Sequence, residues 1–123
     1  MAVVDVATSY RVGSGTVVKV NDLVYVSMAI KNNLPWPLKS SEFHFINVTG
    51  PAHIEPAGST LPKKVAGPDI IVPRGTAIQE FALKADDVGS ATARMEFKCL
   101  LGDTPLSFPV TGSITFTISN TQS

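Results

Sequence analysis

The sequence predicts an all-β fold, a two-sheet antiparallel sandwich closed around an apolar middle. Three observations lead there. Apolar residues recur at every second position, most cleanly at Ala91, Ala93, Met95, Phe97, Cys99 and Leu101, with Thr92, Arg94, Glu96, Lys98 and Leu100 between them. Successive strand side chains point to opposite faces, so this run has one apolar and one mostly polar face, whereas a helix would scatter the same residues around its circumference. Turn-forming residues punctuate such runs at short intervals. Charged residues make up only 16% of the 123, below the usual ~25%, and Val, Thr, Ser, Gly and Pro fill the gap, as strands and turns require.

In chain order, Val4, Val6, Thr8, Tyr10 and Val12 share one parity of a first strand, which Gly13-Ser14-Gly15 breaks. Asn21-Asp22 makes a tight turn, and from Leu23 to Lys31 the residues Val24, Val26, Met28 and Ile30 lie opposite Tyr25, Ser27 and Lys31. The segment from Asn32 to Pro37 ends that strand, because two prolines remove backbone donors. From Glu42 to Thr49, Phe43 and Phe45 point inward, followed by Ile46 and Val48; this one-residue slip predicts a β-bulge between Phe45 and Ile46. Gly50 to Asp69 is proline-rich and weakly periodic, a long loop with Ile54, Leu61 and Val65 as buried anchors and room for a short edge strand around His53 to Glu55. Pro73-Arg74-Gly75 has the offsets of a type II turn. Phe81 and Leu83 then alternate with Glu80, Ala82 and Lys84. Asp86-Asp87-Val88-Gly89 opens the cleanest strand and Gly102-Asp103-Thr104-Pro105 closes it. Leu106, Phe108 and Val110 form a shorter piece before a last strand with Ile114, Phe116 and Ile118 inward.

These runs amount to seven or eight strands in one domain spanning residues 1–123, the pattern of an immunoglobulin-like sandwich, with a jelly roll as the alternative. A chain of this length hides roughly two thirds of its unfolded surface, enough for a core without staples. The stretch from Val20-Asn21-Asp22-Leu23-Val24-Tyr25-Val26 to Ile30-Lys31-Asn32-Asn33 resembles the adhesion-type immunoglobulin-like modules of bacterial and archaeal surface proteins. Asp87-Val88-Gly89-Ser90-Ala91-Thr92-Ala93 resembles the turn and strand late in such modules. The resemblance implies the fold and carries over no binding residue. The chain departs from antibody-type domains: Cys99 has no second cysteine to pair with, Phe97 lacks the hydroxyl of a tyrosine corner, and Trp36 sits in a proline-flanked loop.

Several function classes lose support. Ten basic residues balance ten acidic ones, and no basic run exceeds Lys63-Lys64. Nucleic-acid binding wants a clustered positive footprint, so no nucleic-acid partner is expected. No apolar run approaches the ~18 residues of a membrane helix, so no membrane insertion is expected. The first residues lack a basic start and a long apolar stretch, so the expectation is synthesis in the cytoplasm without a signal peptide. His44 and His53 have no partners at metal-ligand spacing, and one thiol cannot make a zinc site. Cys99 follows the apolar parity of its strand, as a small hydrophobe would. The Gly-x-Gly at Gly13 is a strand break, Asp86-Asp87 are turn carboxylates, and Asn47-Val48-Thr49 matches a glycosylation sequon by chance within a strand. Catalytic residues, cofactors and metals are therefore expected to be none.

Three features read as interaction surface. The first is Leu34, Pro35, Trp36, Pro37 and Leu38, a stiff loop presenting the sole tryptophan, whose alternative is to fold back and cap one end of the sandwich. The second is Lys63 and Lys64 at the tip of the long loop. The third is Thr111 to Thr121, lightly charged and β-prone, able to add a strand to a neighbour. The expectation is a non-enzymatic structural or assembly module with a protein partner, either another copy or a shell protein. Its most concrete form is a decoration or cement protein of a virus or phage particle. The alternative is an immunoglobulin-like module of a larger surface protein that binds protein or carbohydrate; an enzyme or small-ligand binder using the long loop ranks last.

Overall fold

Alternation of apolar residues builds the strands of this protein, and their pairing builds two packed sheets. A computed structural model describes residues 3–13, 17–55, 60–101, 104–105 and 110–120. Among them there are eleven strand segments and no helix. Six are long: β1 (Val4–Val12), β3 (Leu23–Asn32), β4 (Leu38–Thr49), β8 (Thr76–Ala85), β9 (Gly89–Leu101) and β11 (Val110–Ser119). The short ones are β2 (Val18–Lys19), β5 (Ala52–Ile54), β6 (Lys63–Ala66), β7 (Ile70–Ile71) and β10 (Thr104–Pro105). These short pieces take the segment count past the seven or eight expected.

One sheet has the order β1-β3-β8-β5; the other runs β2-β11-β9-β4-β6, with β7 on β4 and β10 on β9. All pairings are antiparallel except β2 with β11. A four-stranded β1-β3-β8-β5 layer over β11-β9-β4 is the arrangement of an immunoglobulin-like sandwich. The proline-rich stretch is more ordered than its composition suggests. Ile54 is buried, Leu61 and Val65 pack on the core, and β5 and β6 pair with β8 and β4.

The core follows the expected parity. Ala91, Ala93, Met95, Phe97 and Cys99 of β9 are buried, as are Val24, Val26, Met28 and Ile30 of β3. Phe45 reaches across to Phe81 of the opposite sheet, ring centroids 5.3 Å apart, and Phe43 lies 5.1 Å from Phe97. The β4–β9 register skips a residue between Phe45 and Asn47, so the bulge sits at Ile46. Val48 returns to the core, while Ile46 stays half-buried beside Arg94 and Glu96. A second irregularity, between Lys39 and Glu42, has Ser40 at φ 53° and Ser41 buried with its hydroxyl donating to the Pro68 carbonyl. Leu106 and Phe108, read as a short strand piece, lie outside the described residues; so do Ser14 and Gly15 of the first strand break.

At the side where β1 and β11 meet, the layers converge. Gly112 makes this possible, since a Cβ there would lie 2.8 Å from a Thr8 methyl. The Thr8 hydroxyl donates to the Ser113 carbonyl (3.1 Å), and Tyr10 leans on Phe116 with centroids 5.7 Å apart.

Candidate functional site

The end of the sandwich where β3 stops is organised by one buried amide. Asn32 closes β3, and Pro35 and Pro37 prevent the chain from continuing in the sheet. The loop's polar backbone groups need partners elsewhere, and Asn32 supplies them. Its Nδ2 donates to the carbonyls of Trp36 (2.8 Å) and Ile71 (3.1 Å), and its Oδ1 accepts from the Leu34 N–H (2.9 Å). Its main chain exchanges hydrogen bonds with the turn before β8, donating to the Gly75 carbonyl and accepting from the Arg74 N–H, both at 2.9 Å. In that turn Gly75 N–H reaches Val72 O and Arg74 has φ 68°, as a type II turn requires at its third position. One fully buried side chain thus ties together the end of β3, the tryptophan loop and β7.

Held this way, Trp36 is 60% exposed. Trp36, Pro37, Lys39 and Leu101 line an open recess of about 370 Å³. Ile70, the cross-strand neighbour of Lys39, and Val72 are also more than half exposed. The result is an apolar end with one cation, Lys39, among the residues lining the recess.

Of the residues expected to form this surface, Pro35 and Trp36 are exposed, Pro37 is half-buried, and Leu34 packs partly on the core. Leu38 does not belong to it. It is fully buried as the first residue of β4, paired with Ile71 and Leu101, because alternation resumes directly after Pro37. Trp36 does not fold back as a cap. Lys63 and Lys64 are not at a loop tip; they form the start of β6, opposite Phe45 and His44. Lys64 Nζ lies 3.5 Å from Glu42. Residue 44 is six positions along β4 from Leu38, about 20 Å at strand rise, so the lysines and the tryptophan loop are not brought together. The last strand, β11, is paired with β9 from Val110 to Ile118, and β2 joins its far edge at Ile118–Ser119. Thr121 lies outside the described residues.

The titratable groups occupy structural positions. His53 Nδ1 is 2.8 Å from Asp86 and its Nε2 is 2.8 Å from Glu55. Two carboxylate acceptors favour a ring with two N–H donors, so the hydrogen bond to Asp86 and then the charges of both acids hold the His53 pKa above its ordinary value, against some desolvation. The Glu42 carboxyl is held below its usual range, first by its hydrogen bond with His44 and then by Lys64. Burial pushes the Cys99 thiol up to about 11, and its residue is 5% exposed, so it is a protonated core group rather than a nucleophile. Among the described residues no three His, Cys, Asp or Glu side chains are placed to hold a metal ion together. No helix among them is long and apolar enough to cross a membrane.

The sequence matches no protein-family profile and no curated protein. Solved structures that align with this chain include BslA, a bacterial hydrophobin, at 12% identity and TM-score 0.43, covering 96% of both chains. The ASH/PapD-like domain of human CEP192 aligns at 9% identity and TM-score 0.40, over 94% of this chain and 86% of that one. A GH20 exo-β-N-acetylglucosaminidase from Vibrio harveyi aligns at 10% identity and TM-score 0.45, over 94% of this chain but only 18% of the enzyme. With TM-scores below 0.5 and identities of 9–12%, these likenesses carry no argument about this chain.

Proposed function

We propose that this protein is a non-catalytic assembly module that docks a protein partner through its Trp36 end. The observation that carries this reading is a tryptophan left 60% exposed on a loop whose backbone is pinned by a fully buried asparagine. A loop whose backbone is already held in place loses little freedom on binding, and large aromatic anchors of this kind concentrate binding energy. Ile70 and Val72 extend the apolar area and Lys39 supplies a polar rim. The most concrete setting is an accessory protein that decorates or cements a virus or phage shell. The zero net charge and low charge content support a chain that works within an assembly, since such a surface resists association weakly.

The experiment compares the protein with its Trp36→Ala variant in co-sedimentation with assembled phage capsid shells. Loss of an anchor worth about 2 kcal/mol or more lowers affinity roughly thirtyfold. The expected result is that loss with an unchanged melting temperature. Retained binding, or a melting temperature that falls in step with binding, defeats the reading.

A further inference from the structure

Sheet edges in soluble sandwiches are ordinarily short, bulged, proline-broken or guarded by charge, because an open row of backbone donors and acceptors invites another strand. Three terminal strands here follow that rule, although β2 pairs with β11 only at Ile118–Ser119 and, among the described residues, leaves Val110–Thr117 of β11 without a ladder partner on that side. β5 has three residues, β2 has two, and β6 has four with Lys63 and Lys64 among them. β1 does not. It is terminal in its sheet, nine residues long, without proline and without a bulge, in unbroken register with β3 from Val4 to Val12. Among the described residues no strand is ladder-paired with its outer edge, and β11 of the other sheet meets β1 there through side chains, with the Thr8 hydroxyl on the Ser113 carbonyl and Tyr10 on Phe116.

The β1 sequence is also complementary to itself. Reversed about Thr8, it places Asp5 opposite Arg11, Val6 opposite Tyr10 and Ala7 opposite Ser9. We propose that β1 pairs antiparallel with β1 of a second copy, on a two-fold axis through Thr8, joining the two four-stranded sheets into one of eight. In this register apolar meets apolar, small meets small, and each copy contributes one acid and one base to two cross-strand ion pairs. Other registers lose this match. A slip of one residue turns the strand's faces over, and a slip of two sets Asp5 against Ser9 or Arg11 against Ala7.

The side chains are disposed for it. Val6 and Tyr10 share a face with the buried Ile30 and Val26 of β3, yet remain 38% and 37% exposed because the sheet stops beside them. A second β1 covers both. Arg11 is on the outer face, where its guanidinium reaches over Tyr25 (4.4 Å to the ring) to Glu80 of β8 (3.0 and 3.1 Å), and it turns toward the free edge to meet Asp5 of the second copy. Asp5 is exposed on the same face. None of these residues belongs to the Trp36 surface, so the dimer and the docking reading stand or fall separately.

Sedimentation equilibrium and light scattering on the whole chain provide the test, with far-ultraviolet dichroism and thermal melts confirming the fold of each variant. The protein is expected to be a dimer. Asp5→Lys sets lysine against arginine. Arg11→Glu combined with Glu80→Lys sets acid against acid while keeping the intrachain ion pair with its sign reversed. Each variant alone is expected to dissociate about tenfold more readily or worse, from two cross-strand pairs turned repulsive. An equimolar mixture of the two restores both attractions and is expected to regain the dimer. A chain that stays monomeric at its highest soluble concentration overturns the proposal. So does a dimer indifferent to both variants, a mixture that fails to recover, or a dimer that Trp36→Ala abolishes while Asp5→Lys does not.

Discussion

His53 shows how a neighbourhood unseen in sequence sets the behaviour of one residue. It reads as a plain loop histidine, yet its ring lies between Asp86, 33 positions away, and Glu55, while Lys84 faces it across β5 and β8 and Asp87 follows Asp86 in the turn. Its folded pKa is raised above the ordinary 6.5. The stabilising contribution is therefore fully present below about pH 6.5 and is lost as pH rises through the folded pKa. Because Asp86 is the largest cause, Asp86→Asn should lower the His53 pKa in an NMR titration more than Glu55→Gln does. The reverse order would show that the ring is not held as described. Asn32 was equally hidden. The sequence marks it only as the start of a loop, and its role depends on Ile71, 39 residues on, returning to the same end of the sandwich.

At the level of elements, alternation made most of β3, β9 and β11 legible, although β3 runs on to Asn32 and Val110, read as part of a separate piece, begins β11. A parity slip alone located the bulge beside Phe45. The sequence offered a short edge strand around His53 to Glu55, overlapping β5, but missed β6, since four residues are too few for a period and their strand character comes from the partner they meet. It also missed the irregularity at Ser40 and Ser41, where polar residues carry no phase to slip. The connection from β4 to β5 changes sheets at Gly50, whose φ is +96°. A Cβ there would run into the Ser90 carbonyl, which is backbone and cannot yield easily. Gly50→Ala should cost about 2 kcal/mol or more, from strain and collision together. Gly13→Ala, whose Cβ would meet nothing within 4 Å, should stay within about 0.5 kcal/mol. Urea unfolding of both variants decides it, and equal stability of the two would sink the steric account of this crossing.

For the whole molecule, the sequence foretold two sheets because nearly every apolar parity needs an opposite layer to bury it. It could not say where the layers lock together, since strand order is a property of pairing and not of period. The lock lies in the middle of the sandwich, away from the β1–β11 side. On the open side, β1 and β11 are joined by Tyr10 against Phe116 and by a single hydroxyl, and Tyr10 stays 37% exposed. In the closed middle, Phe45 of one sheet and Phe81 of the other meet with Phe45 fully buried. Removing a ring from a site that cannot collapse costs transfer energy plus a cavity, about 3–5 kcal/mol for a buried phenylalanine. Domains of this size hold roughly 5–15 kcal/mol in all, so Phe45→Ala should leave the protein near the edge of unfolding at room temperature. Tyr10→Ala removes a ring of similar size from a place that solvent already reaches, and should cost about 1 kcal/mol. Denaturant midpoints of the two variants measure how the sandwich is closed. A large gap places the lock between Phe45 and Phe81, whereas matching midpoints would mean that the open β1–β11 side holds the layers together as firmly as the middle.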